Sequence, residues 1–225
     1  MILNFSIFLK FLIGINQGQS LCRILQNLEC SKILIKGNVI EFGAEPGSKK
    51  NFSSIAKKKN ILKISFSDKF IKKKGVIKAD LNTKINLKKN HYETILLFNV
   101  LEHLFNIDNA KKELTKILKK KGLLIGSTPF LYRFHGAPSD NYRFTKPFYE
   151  KFFQKDYKII KIFNLGFGPF CSSYSLISDF TKKIPILNLL LFSISYFLDL
   201  ILSKLVKYNL KDVYPICVFF ILKKK

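Results

Sequence analysis

The stretch "VIEFGAEPGS", residues 39–48, decides how the chain is read. An apolar run of strand length ends in an acid, and a loop with two glycines follows at once. That is how a strand in an open α/β sheet hands over to a ligand-binding turn. In the middle of the loop stands Glu45, where a phosphate-cradling loop would carry glycine. A phosphate needs several backbone N–H groups in a nest at a helix N-terminus, and a carboxylate there repels it. The glycines therefore point to close backbone approach, and the glutamate points away from a dinucleotide.

Working outward, short apolar runs alternate with amphipathic stretches. Buried strands are expected at "NVIEF" (38–42), "NILKI" (60–64), "GVIKA" (75–79), "ETILLF" (93–98), "GLLIGS" (122–127), "YKIIKIF" (157–163) and "YPICVFFIL" (214–222). Between the fourth and fifth, Ile107, Ala110, Leu114, Ile117 and Leu118 recur at helical spacing, with Gly122 as the expected stop. A helix between two strands implies a right-handed crossover and a parallel sheet. The link between the second and third strands is short for a helix. The expected fold is α/β, a Rossmann-like seven-stranded sheet flanked by helices, with an apolar helical insertion at about 180–208 before the last strand. Residues 1–35 read as an N-terminal helical segment and 36–225 as the main domain.

The net charge of +24 invites a nucleic-acid reading, yet only Arg23, Arg133 and Arg143 among the 39 basic residues are arginine. Lysine triplets at 57–59, 72–74, 119–121 and 223–225 are expected at turns and chain ends, without interleaved stacking aromatics. A solvated surface is the leading reading, membrane attraction follows, and nucleic acid comes third. Cys22, Cys30, Cys171 and Cys217 form no CxxC pair and are expected as reduced thiols in the cytosol. The start "MILNFSIFLKFLIGINQ" reads as a helix, since it lacks a basic leader and carries Lys10. Residues 184–206, "IPILNLLLFSISYFLDLILSKLV", have the length of a membrane span, but Asp199 and Lys204 interrupt it. The expectation is a cytoplasmic protein with peripheral contact to the inner membrane face through this segment.

E-x-G-x-x-x-G from Glu41, "DL" at 80–81, "NVLEHL" at 99–104 and "LKKKGLLIGSTPF" at 118–130 together resemble the class I S-adenosylmethionine-dependent methyltransferases, specifically the methyltransferase type 11 group. The resemblance spans about 36–165, and the last apolar run is similar to the final strand of that fold. It implies S-adenosylmethionine as cofactor, and this ligand answers the glycine-loop question: its methionine end is a zwitterion that a glutamate need not repel. By motif position, Glu41 would fix the loop and reach the methionine amine, while Gly43, Ala44 and Gly47 would line its backbone. Asp80 would accept from the adenine amine with Leu81 packed on the ring, and Asn99 would border the sulfonium. The family's acid at the end of the second strand is replaced by Lys63, Ser65 and Ser67, with Asp68 as a substitute if that strand runs longer.

"FLYRFHGAPSDNYRFT", 130–145, resembles a subgroup whose loop after the fifth strand reads H-x-A-P-x-D-x-x-R-[FY]-T. That subgroup is associated with surface polysaccharide or lipid-linked sugars, which implies a small-molecule or lipid-linked glycan acceptor. Tyr132, Arg133, His135, Asp140, Tyr142 and Arg143 are the candidate acceptor-binding residues. An Arg143–Asp140 clamp and direct substrate contact stand as equal readings of the arginine. His135 is the candidate general base, because imidazole titrates near neutrality. Glu102 and His103 are reminiscent of an E-x-x-E-H metal motif whose first position is Asn99 here, so no metal is expected. A nucleic-acid methyltransferase is disfavoured by the lack of an N/D-P-P-[YF] signature after the fourth strand. A non-catalytic binding module on the same fold is the rival reading.

Overall fold

The computed structural model describes residues 5–136 and 139–225. Helices α1 (Phe5–Asn16) and α2 (Leu21–Cys30) precede β1 (Leu34–Phe42), α3 (Phe52–Ile55), β2 (Lys57–Asp68), β3 (Val76–Lys78) and β4 (Tyr92–Phe98). A single 3-10 turn (Leu101–His103) leads to α4 (Ile107–Ile117), β5 (Leu118–Pro129), α5 (Lys146–Phe153) and β6 (Tyr157–Leu165). The chain ends with α6 (Pro169–Thr181), α7 (Pro185–Leu205), α8 (Leu210–Val213) and β7 (Cys217–Lys224).

All seven expected strands form, in one sheet of order β3-β2-β1-β4-β5-β7-β6. The ladders β3–β2, β2–β1, β1–β4 and β4–β5 are parallel. Strand order reverses between β1 and β4, and that is where a ligand crevice opens beyond the carboxyl ends of the strands. Central strands are covered on both faces, which is why they read as continuous apolar runs: Val39, Ile40, Ile95, Leu96, Leu124 and Ile125 are wholly buried. Gly126 in β5 admits no side chain, since a Cβ would lie 2.1 Å from the Leu97 carbonyl and 2.5 Å from Phe220.

Several boundaries differ from expectation. β2 is twelve residues long, and Lys57, Lys58 and Lys59 pair with Leu34, Ile35 and Lys36 instead of forming a turn. Lys119–Lys121 likewise lie in the exposed start of β5. Gly122 is a strand residue, not the helix stop; α4 already ends at Ile117, where Leu118 turns extended. The helix end is capped from elsewhere: the Lys224 ammonium donates to the carbonyls of Thr115 (2.6 Å) and Leu118 (2.7 Å), a cation on the negative end of the helix dipole. As expected, no helix lies between β2 and β3.

The chain separates into two compact units. One comprises 29–128, 134–163 and 219–225; the other runs up to Leu28 and adds 129–133 and 164–218. In the second, helical unit, Phe11, Phe167, Phe192 and Tyr196 form a ring cluster with centroids 5.1–5.8 Å apart. The buried Asp199 of α7 accepts from the backbone N–H groups of Phe170 (3.0 Å) and Cys171 (2.8 Å) at the N-terminus of α6, a carboxylate on two orphan donors at the positive end of a helix. Asn188 accepts from the hydroxyls of Tyr174 (2.9 Å) and Thr181 (2.7 Å). Asn188 and Asp199 of α7 thus face inward, while Ile186 (83%), Leu190 (54%), Ile201 (56%) and Leu205 (76%) are exposed. All four cysteines are buried free thiols.

Candidate active site

The glycine loop after β1 is internally satisfied. Glu41 is 2% exposed and its carboxylate accepts from Phe52 N–H (2.7 Å) and Ser53 N–H (2.9 Å), the first residues of α3. The side chain ties the end of β1 to the start of α3. Gly43 N–H donates to the Ser67 carbonyl at 2.8 Å, and Ala44 N–H to the same oxygen at 3.4 Å. These donors are therefore not a phosphate nest. Glu45 carries its charge away to the Lys73 ammonium at 3.1 Å, while its carbonyl accepts from Asn51 Nδ2 at 2.7 Å. Gly43 (φ 71°) and Gly47 (φ 80°) both take the left-handed conformation. A Cβ on Gly43 would also meet Val100 at 3.1 Å, whereas Gly47 borders open space.

Beside this loop lies a cavity of about 310 Å³, within the range of small-molecule sites. Gly43, Asp80, Leu81 and Asn99 line it, as the motif positions imply; Glu41, Ala44 and Gly47 do not. Asp80 pairs with the Lys69 ammonium at 2.8 Å and accepts from the Asn82 N–H at 2.9 Å. Burial opposes its charge, but Lys69 and Asn82 outweigh it and hold the carboxyl below its usual range. Asn99 sits at φ 54°, just past β4, with its N–H on the Ser127 carbonyl at 2.9 Å. Phe42, Phe70 and Phe105 add ring-sized apolar wall.

The longer β2 also changes the reading of the missing acid. The strand ends at Asp68, which lines the cavity and accepts from the N–H groups of Phe70 (2.6 Å) and Ile71 (3.0 Å). Sequence reasoning did not single out Asn82. Its side-chain oxygen accepts from Phe105 N–H (3.0 Å) and Asn106 N–H (3.1 Å), tying the loop after β3 to the one after β4. The only local signal is its place two residues after Asp80.

The loop after β5 folds back onto the 3-10 turn. Ser139 Oγ donates to the His103 carbonyl at 2.8 Å, and Asn141 N–H to the Glu102 carbonyl at 2.8 Å. Arg143 forms the two-pronged clamp on Asp140, with Nη1 on Oδ1 and Nη2 on Oδ2 at 2.6 Å. Hydrogen bonding from Arg143 keeps the Asp140 carboxyl far below its usual range against the effect of burial. Asp140 Oδ2 accepts from the His135 backbone N–H at 3.0 Å and lies 3.0 Å from the ring Nδ1. Tyr142 donates from its hydroxyl to the Phe105 carbonyl at 3.3 Å. His135, Asp140, Tyr142 and Arg143 belong to the sheet unit; Tyr132 and Arg133 fall in the helical unit, where Arg133 pairs with Asp179.

Within this fold-back, Glu102, His103 and His135 gather their ligand-type atoms within 4.8 Å of one another. Glu102 is fully buried, and burial pushes its carboxyl up to about 8. His103 Nδ1 bonds to the Ser139 carbonyl, and burial lowers the imidazole's affinity for a second proton. The sequence expectation of no metal rested on the 99–103 segment alone and did not include His135.

Residues 43–126 match the family model described as a methyltransferase domain. No curated protein matches the chain. Among solved structures, the chain is similar to the [4+2]-cyclase SpnF at 10% identity and TM-score 0.55, covering 90% of this chain and 80% of that one. It is similar to Haemonchus contortus phosphoethanolamine N-methyltransferase 2 in complex with S-adenosyl-L-methionine at 14% identity and TM-score 0.54, over 88% of this chain and 52% of that one. A chain of the complex containing the Haloferax volcanii Trm112 methyltransferase activator matches at 9% identity and TM-score 0.55, over 94% of each. At these identities the likeness is one of fold. A methyltransferase domain of this class implies S-adenosylmethionine as cofactor. The protein has the class I methyltransferase fold, and its residues 43–126 are identified as a methyltransferase domain.

Proposed function

We propose that the protein is an S-adenosylmethionine-dependent methyltransferase acting on a hydroxyl-bearing small molecule, with a glycan or lipid-linked sugar as the acceptor class. The observation that carries this reading is the cavity at the sheet's switch point, lined by Gly43, Asp80, Leu81 and Asn99. The residues fit the donor. The Gly43 backbone is bare where a Cβ would be strained and crowded by Val100, and Asp80 is held ionised as an acceptor for the adenine amine. Leu81 offers apolar surface to the ring, and Asp68 ends β2 where the ribose hydroxyls are expected. When bound, the donor supplies an electrophilic methyl on a sulfonium; the protein's task is chiefly alignment.

On the acceptor side, His135 serves as the proton acceptor, its ring Nδ1 3.0 Å from the Asp140 carboxylate. Arg143 fixes Asp140 from the other side. Calorimetric titration with S-adenosylmethionine and S-adenosylhomocysteine tests the reading. Micromolar binding that weakens in Asp80→Ala supports it; absence of binding by folded protein supports the non-catalytic alternative.

A peripheral membrane contact is supported by a separate observation, the outward apolar face of α7 with Lys182, Lys183, Lys204 and Lys207 near its ends. An interfacial helix gains from apolar burial, and nearby lysines favour anionic lipid by about 1 kcal/mol each. Cosedimentation with vesicles containing phosphatidylserine should be lost in an Ile186→Asn, Leu190→Asn, Ile201→Asn triple variant. Binding unchanged by these substitutions overturns the assignment of α7 as the contact.

A further inference from the structure

We propose that Glu102, His103 and His135 form a divalent metal site at the wall of the donor cavity, with its open positions available to an acceptor oxygen. The three residues bring ligand-type atoms within 4.8 Å of one another. Their surroundings are those of ligands. Metal-binding imidazoles nearly always donate the other ring N–H to a carboxylate or a carbonyl, which fixes the tautomer and aims the ligating lone pair. His103 does this, with Nδ1 on the Ser139 carbonyl, and His135 Nδ1 lies 3.0 Å from the Asp140 carboxylate. A carbonyl accepts and cannot donate, so a neutral His103 keeps its Nε2 lone pair.

The independent observation is Glu102. It is wholly buried, and neither carboxylate oxygen has a hydrogen-bond partner among the described residues. Its Oε1 faces His103 Nε2 at 3.9 Å, an acceptor opposite an acceptor. Buried carboxyl groups are normally hydrogen-bonded, and an exception calls for an explanation such as an ion. A cation between them satisfies Glu102 and the His103 lone pair at once, with His135 in reach as the third ligand. Two nitrogens and one oxygen suit zinc, manganese, iron(II) or cobalt more than magnesium or calcium, which prefer all-oxygen shells. Ligand bonds of about 2.0–2.2 Å require the side chains to draw in by roughly an ångström.

His103 and Ser139 line the donor cavity, so the open side of such a site borders it. The role rests on the methyl-transfer reading above and changes one part of it. The His135 lone pair goes to the cation, and an acceptor hydroxyl held on the cation releases its proton to solvent more readily. The neighbouring Arg143–Asp140 pair is neutral overall, and Glu102 gives up its proton as the ion binds.

The test is equilibrium titration of chelator-treated, dialysed full-length protein with cobalt(II), followed by its visible absorption, and with zinc and manganese by calorimetry. One equivalent should bind in the wild type, at least tenfold more weakly in Glu102→Gln and in His103→Ala, with cooperative thermal unfolding of the metal-free proteins as the check on folding. His135→Asn is the second variant, because it keeps a polar side chain in the loop. No metal binding by folded wild type, or binding indifferent to all three substitutions, overturns the proposal. Because metal is titrated without donor, metal binding with no donor binding would sink the methyltransferase reading and leave the site standing.

Discussion

The loops after β1 and after β5 both belong to the sheet unit, but they handle their charges in opposite ways. After β1 both acids find partners at once, Glu41 on the N-terminus of α3 and Glu45 on Lys73, and the Gly43 and Ala44 N–H groups lie on Ser67. After β5, Asp140 is held by Arg143 and the His135 backbone N–H, while neither carboxylate oxygen of Glu102, in the turn that this loop covers, has a hydrogen-bond partner among the described residues. A loop with every group satisfied shapes a site without reacting in it. A loop that buries an unsatisfied acid has kept a group in reserve for something else.

Four substitutions would break or sharpen that comparison. The largest effect is expected from Glu41→Ala, which leaves two buried N–H groups of α3 without an acceptor. A loss of about 3 kcal/mol is expected, seen as a melting temperature lower by roughly 10 °C. A small change would mean that the first loop is not held from within. Next, Gly43→Val forces a β-branched residue to positive φ against Val100, a strain of about 1–3 kcal/mol. S-adenosylhomocysteine affinity should fall by roughly 10–100-fold, measured by calorimetry, and unchanged affinity would remove this loop from the donor site.

In the second loop, Arg143→Lys replaces a planar fork by a point charge and loses one of the two bonds to Asp140. Turnover should drop about tenfold with donor affinity intact; an equal loss in both would show that the two loops act as one. The smallest effect is reserved for Asp80→Asn, a loss of about fivefold in donor affinity, on the scale of one exposed ion pair. The Asp80 carboxyl titrates below its ordinary value of 3.8 in the folded protein. Its contribution to stability is therefore complete above that pH and fades as pH falls through the lower folded value. Comparing acid unfolding of wild type and Asp80→Asn should show a difference that shrinks only below about pH 4.

The strands were legible because residues such as Ile40 and Leu96 are covered on both faces, so each run is apolar throughout. Their lengths were not. Lys57–Lys59 look like a turn to any local pattern, yet they complete a ladder set by Leu34–Lys36, and that extension is what carries β2 on to Asp68. Where a motif fixes spacing, residues that share a cavity were readable, as at Gly43 and Asp80. The meeting of Glu102 with His135 was not, because it is made by a chain reversal more than thirty residues later and held by bonds such as Asn141 N–H to the Glu102 carbonyl.

The carboxylate of Asp199 reaches from the middle of α7 to the first N–H groups of α6, where a Cβ on Gly168 would come within 2.5 Å of it. Neither helix is complete without the other. A descendant that shed α7 would expose two buried amides of α6, and one that replaced Gly168 would push the acid away. The two helices must therefore be gained, kept or lost as a pair, and the apolar outer face of α7 can diverge freely only while its inner acid stays in place.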